Sequence, residues 1–209
     1  MIEYKRVAVL VFDDVELVDM NGPVDVFLHA NRYDKAMNYL VYTVGATHAR
    51  IRSEGGAVSI TPRYSVADCP PPDIVVIPGR VAPGRNAGPK LTAWVARQVA
   101  HGSTILSVCI GLYTLAVAGL LAGQRATTHY LALEALQAQY PDIELVRNVR
   151  VVDDGQFVST GGVTSGIDGA LALVARYSGA PLAERVADVL VYNTAAPLPP
   201  RTLLPPAAA

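Results

Sequence analysis

The sequence predicts an α/β domain with a mostly parallel sheet covered by helices on both faces. Three observations predict it. Apolar runs at 6–12, 73–77 and 104–108 are continuous rather than alternating, the mark of strands buried on both sides. Helical patterns fall between these runs, so strands and helices alternate along the chain. Finally, 209 residues at 51% hydrophobic and 17% charged suffice for one substantial core without staples.

The elements follow in order. Residues 6–12 read as the first buried strand. Residues 15–20 suggest a short helical turn, after which Asn21 is a candidate N-cap and Pro23 falls in the first turn of a new helix. Val24, Phe27 and Leu28 give that helix an apolar face. Residues 40–45 form a second strand. Segments 50–53 and 57–61 flank Gly55-Gly56 and read as a hairpin. The strand at 73–77 ends at Pro78-Gly79, and 91–100 is helical. Strand 104–108 leads to Cys109, and a helix over 110–121 stops at Gly123. Residues 130–140 are helical up to Pro141. Strands 146–152 and 157–160 pair around Asp153-Asp154-Gly155. Helices at 165–177 and 181–191 complete a single domain over 1–195. The Pro- and Ala-rich stretch 196–209 reads as an extended tail on the surface or on a partner subunit.

Composition narrows the function classes. Seventeen basic residues face eighteen acidic ones, and no basic stripe argues for a nucleic-acid partner. No apolar stretch is long enough to span a bilayer, and the start of the chain lacks a signal-peptide pattern. Two cysteines, Cys69 and Cys109, are too few for a disulfide framework and fit a reducing compartment. The expected location is therefore the cytoplasm. No cluster has metal-ligand spacing and no phosphate-binding glycine fingerprint follows the first strand, so neither metal nor cofactor is expected.

Cys109 carries the chemistry-bearing signal. A β-branched run ends at it and a helical pattern begins one residue later, the layout of a strand–nucleophile–helix turn. At a helix N-terminus, unpaired amides and the dipole favour a thiolate, so early alkylation of Cys109 is expected, with Cys69 lagging. Locally, Cys109 reads equally well as a small buried hydrophobe. Strand ends on one sheet edge gather functional loops, and four segments should meet there: 18–23, 78–80, 109–111 and 159–168. Asp19, between Val18 and Met20, is either an N-cap or a desolvated carboxylate able to shuttle a proton to Cys109. The amides after Gly79 and Cys109 suit an oxyanion hole, though Pro-Gly is also a common turn. Gly161 and Gly162 allow tight packing beside the site, with Thr164 or Ser165 capping the next helix. His129 is either a partner for Cys109 or a satisfied helix-capping histidine.

These segments together resemble the ThiJ/PfpI superfamily, whose fold is related to class I glutamine amidotransferases. The resemblance spans about residues 6–195. It rests on the motifs at 11–26, 73–79, 107–111 (Ser-Val-Cys-Ile-Gly), 118–129 and 160–168. It implies a flavodoxin-like three-layer sandwich with the cysteine at a nucleophile elbow, and a homodimer. Within the superfamily the isocyanide hydratase-like branch and the sensor-like domain of AraC-type regulators look nearest. The chain stops soon after its last helix, which favours the enzyme branch. There a thiolate attacks the terminal carbon of R–N≡C, an aspartate assists, and water releases an N-substituted formamide. Matched motif to motif, the resemblance puts the nucleophile on Cys109 and the aspartate on Asp19. It leaves Gly79, Arg80, Ile110, His129, Gly161 and Gly162 as pocket or oxyanion residues. Two departures bear on substrate. Ile110 stands where the branch has threonine, and Arg80 where it has glycine, which adds a cation near the mouth. Other thiolate-dependent hydrolase or lyase chemistry and a ligand- or oxidation-sensing role are the alternatives.

Overall fold

The computed structural model describes residues 3–34, 36–80 and 86–192. The tail at 196–209 lies outside the described residues.

β1 (Glu3–Leu10) is the axis of the sheet. Its inner half, Val7–Leu10, is fully buried. The chain then enters α1 (Leu17–Tyr33) and returns as β2 (Met37–Gly45), parallel to β1 with Val9 opposite Thr43. Next come the small hairpin β3 (Ile51–Arg52) and β4 (Ser59–Ile60), and the edge strand β5 (Tyr64–Ser65). β6 (Ile74–Ile77) pairs on the other side of β1. α2 (Pro89–Ala100) leads to β7 (Thr104–Val108), parallel to β6. A single 3₁₀ turn, Cys109–Gly111, opens into α3 (Leu112–Val117). Short strands β8 (Arg125–Ala126) and β9 (Glu144–Leu145) pair with each other around α4 (Leu133–Gln139). β10 (Val151–Asp154) and β11 (Phe157–Thr160) form the second hairpin, and α5 (Ser165–Ser178) and α6 (Ala180–Val189) end the described chain.

The main sheet runs β10-β11-β7-β6-β1-β2-β5. Every neighbouring pair is parallel except β10–β11. β6 and β7 are buried at every residue, which explains their unbroken apolar runs. α1, α5 and α6 cover one face and contact one another. α5 sits so close that a Cβ on Gly169 would lie 2.5 Å from Leu106 Cδ1.

The structure changes several predicted boundaries. α1 does not restart at Asn21. It runs unbroken from Leu17, with the Glu16 carboxylate accepting from the Val18 N–H, and Pro23 lies inside it. An internal proline forfeits one helical hydrogen bond, but the buried face formed by Asp19, Met20, Pro23, Val26 and Phe27 holds the helix together. The helix after Cys109 is shorter than predicted, because Gly119 and Gly123 adopt positive φ and turn the chain. The predicted strand 146–152 shifts to β10, which takes in Asp153 and Asp154 of the expected turn, and the helix at 130–140 shortens to α4.

Candidate active site

Strand β7 delivers Cys109. Val108 is still extended, at φ −112° and ψ 133°, and the next residue swings to φ +56°. A left-handed conformation costs a non-glycine residue about 1–2 kcal/mol, so the turn is held from outside. Thr128, itself buried, donates its hydroxyl to the Cys109 carbonyl at 2.7 Å. Gly111 lets the turn close down on β6. A Cβ there would lie 2.2 Å from the Ile77 carbonyl oxygen. The sharp bend aims the cysteine side chain at the C-terminal edge of the sheet, where the ends of β1 and β6 also arrive.

Asp19 enters from the first turn of α1 and is fully buried. Its Oδ2 accepts from the Gly79 N–H at 2.8 Å. Its Oδ1 is buried with no partner in good hydrogen-bond geometry. Burial, reinforced by the charges of Glu16 and Glu54, raises the Asp19 pKa from 3.8 to about 7, against the opposing Gly79 amide and Cys109 thiol. The Cys109 thiol is pushed upward too, first by burial and then by the charge of Asp19, while the Ile110 amide pulls the other way. This corrects the expectation of a ready thiolate. α3 is only six residues long, and a buried sulfur beside a carboxylate gains more from desolvation than it loses to a few amides. Cys69 is a separate, half-buried thiol raised to about 11, again mainly by burial.

A cavity of about 330 Å³ opens over the pair. Of the candidate residues, Asp19, Gly79, Arg80, Cys109, Ile110 and His129 line it. Arg80 stacks on Phe12 at 5.9 Å and reaches Asp14 and the Asn86 carbonyl, each at 3.4 Å. His129 stacks on Tyr130 at 4.6 Å, and its Nδ1 accepts from the Leu131 N–H at 3.3 Å. The Gly79 amide itself is committed to Asp19; the amide after it, expected at an oxyanion hole, is that of Arg80.

Gly161 and Gly162 do not line the cavity; their neighbour Val163 does. Gly161 instead serves packing, since a Cβ there would meet the Val149 carbonyl oxygen at 2.8 Å. Thr164 and Ser165 both stand at the start of α5, as predicted, but neither cap is made by a side-chain hydrogen bond.

Two functional neighbours escaped the sequence reading. Glu16 lines the cavity and sits three residues before Asp19, hence on the same helical face. That spacing was the available signal. Thr128 gave none, because its partner is a main-chain carbonyl nineteen residues away. Among the described residues no group of three or more His, Cys, Asp or Glu side chains could hold a metal ion. Nor is any described helix long and apolar enough to cross a membrane.

Comparison with known proteins finds relatives over most of the chain. An isonitrile hydratase from Pseudomonas putida is 32% identical over 93% of this chain and 80% of its own length. The HTH-type transcriptional regulator GbdR of Pseudomonas aeruginosa is 26% identical over 90% of this chain, which spans about half (51%) of the regulator. The crystal structure of a ThiJ/PfpI family protein from Pseudomonas syringae superposes with a TM-score of 0.80 at 27% identity, covering 95% of this chain and 79% of that one. Residues 5–176 match the DJ-1/PfpI family, and with that match, the parallel sheet and the relatives in agreement, the chain belongs to the DJ-1/PfpI family.

Proposed function

We propose that this protein is a cofactor-independent lyase that hydrates an isocyanide to an N-substituted formamide, with Cys109 as nucleophile and Asp19 as proton carrier. One observation carries the reading. A strained, strand-terminal cysteine abuts a buried carboxylate whose pKa is about 7, inside a small cavity. The likeness to an isonitrile hydratase over most of both chains supports the choice of substrate.

The chemistry follows from the two proton affinities. The sulfur rests as a thiol, so attack requires a base, and ionised Asp19 is placed to be one. The sulfur adds to the terminal carbon of R–N≡C as its proton passes through Asp19 to that carbon, giving the thioimidate R–N=CH–S–Cys. Water then adds across the C=N bond, its hydroxyl to carbon and its proton to nitrogen. Collapse of R–NH–CH(OH)–S–Cys breaks the C–S bond, returns a proton to sulfur and releases R–NH–CHO. Ile110 supplies an amide next to the sulfur for the charge that develops there. His129 and Ile110 form walls of the site. The same reading makes the protein a cytoplasmic homodimer without a nucleic-acid partner, given its near-balanced charge.

A second reading is favoured by the regulator relatives, which align over 60–90% of this chain. In it the cavity binds a small ligand, or Cys109 is oxidised, without turnover. A panel of isocyanides offered to wild type and Cys109→Ala separates the two. Formamide production by wild type and its loss in Cys109→Ala are expected. Saturable binding without product would favour the sensor, and equal turnover by both proteins would end the nucleophile assignment.

A further inference from the structure

Arg80 is the only arginine or lysine lining the Cys109 cavity among the described residues, and the wall is otherwise largely apolar, through Ile110, Leu131, Ala132 and Val163. Three contacts fix the guanidinium: the ring of Phe12, the Asn86 carbonyl and the Asp14 carboxylate. None saturates it. The Asp14 pairing is long, at 3.4 Å, and the Asp14 side chain is itself 45% exposed, so water screens much of its charge. Arg80 Nε is buried out of a ligand's reach, whereas the side chain as a whole keeps 20% exposure and lines the cavity. A carboxylate suits such a cation, because a guanidinium presents its N–H groups as a fork matched to a planar anion.

The opposing charges are weaker than a count suggests. Glu16 also lines the cavity, but its carboxylate accepts from the Val18 N–H and shares a hydrogen bond with Glu54. Asp19 is held by Gly79 and turned to the sulfur's proton.

We propose that Arg80 sets the substrate class, so that the cavity takes a small electrophile carrying a carboxylate remote from the carbon that Cys109 attacks. The size agrees. A cavity of about 330 Å³ is at the small end for small-molecule sites and leaves room for a short chain between the reacting carbon and the carboxylate. Only the identity of the reacting group rests on the hydratase reading; the charge preference does not.

The test has two arms, run on Cys69→Ser so that Cys109 is the sole thiol. The first uses iodoacetate and iodoacetamide, near-equal in size but differing in charge, and reads the ratio of their alkylation rates at Cys109. Arg80→Gln should lower that ratio roughly tenfold, the scale of one lost charge pair in a half-solvated site, and Arg80→Lys should keep most of it. Added salt should lower the ratio in the Arg80 protein and hardly move it in Arg80→Gln. The iodoacetamide rate alone reports whether each variant keeps its site. The second arm compares a carboxylate-bearing isocyanide with its methyl ester, by kcat/KM. The free acid should be preferred by wild type, and the preference should vanish in Arg80→Gln. An alkylation ratio indifferent to Arg80, or an equal preference in both proteins, overturns the proposal. Should neither isocyanide turn over while the ratio still collapses, the hydratase reading fails and the role of Arg80 stands.

Discussion

At neutral pH Asp19 is divided between its two protonation states, whereas an exposed aspartate is fully ionised. That makes it a usable base for a thiol that burial keeps protonated. Asp19→Asn keeps shape and an acceptor for the Gly79 N–H but cannot carry the proton. Turnover should fall at least ~10²-fold, the usual scale of general acid–base assistance. Alkylation of Cys109 at pH 8 should move the other way and become faster, because the charge that raises the thiol is gone. Parallel measurement of product and alkylation checks this; a slower alkylation would mean that the Asp19 charge does not raise the thiol. In wild type, kcat/KM should climb as pH rises through about 7, as Asp19 ionises. A profile flat between pH 6 and 8 would remove Asp19 from the base role.

At the scale of elements, the site depends on how closely the Cys109 turn approaches β6. Gly111 stands where a Cβ would meet the Ile77 and Pro78 carbonyl oxygens at 2.2 and 2.9 Å, both rigid backbone atoms. Gly111→Ala must therefore shift a buried strand or the turn. A loss of roughly 1–3 kcal/mol in denaturant unfolding is expected, with turnover falling further than stability because Cys109 moves with the turn. Gly111→Ala with wild-type stability would show that this junction yields more easily than the packing implies. α1 makes a related point. Its first turn presents Glu16 and Asp19 together, and the unbroken helix ties that turn to the buried face at Pro23, Val26 and Phe27.

Over the whole molecule, the buried carboxylate makes stability depend on pH. The folded-state pKa of Asp19, about 7, lies above its unfolded value near 3.8, so the folded state favours the neutral form. Asp19 therefore contributes most favourably below about pH 4, and that contribution is lost as pH rises toward 7, at roughly 1.4 kcal/mol per unit. Urea unfolding at pH 5 and pH 8 should show Asp19→Asn gaining on wild type at the higher pH. An equal difference at both pH values would contradict the raised pKa. The far end of the described chain has its own anchor. The Tyr192 hydroxyl sits 3.0 Å from Asp168 Oδ2 and 3.1 Å from the Thr164 carbonyl, and Arg150 binds Asp168 through Nε at 2.6 Å. Tyr192→Phe should cost about 1 kcal/mol, or 2–4 °C in Tm for a domain of this size. An unchanged Tm would mean that this cluster is not holding the C-terminal segment.

The buried strands were legible in the chain alone, because a strand covered on both faces must be apolar at every position, as in 74–77 and 104–108. The sequence also placed both hairpins, at Gly55-Gly56 and Gly155, where left-handed turns call for glycine. Cys109 at a strand end was legible for the same reason, since the break in pattern is local. The rest depends on atoms far apart in the chain. The 60-residue link from Asp19 to the Gly79 amide shows in no local pattern, nor does the Thr128 hydroxyl on the Cys109 carbonyl. The direction of the thiol's shift depends on such contacts too. A helix N-terminus can be read from a sequence, but the desolvation that outweighs it exists only once α1, β6 and β7 have closed around the sulfur.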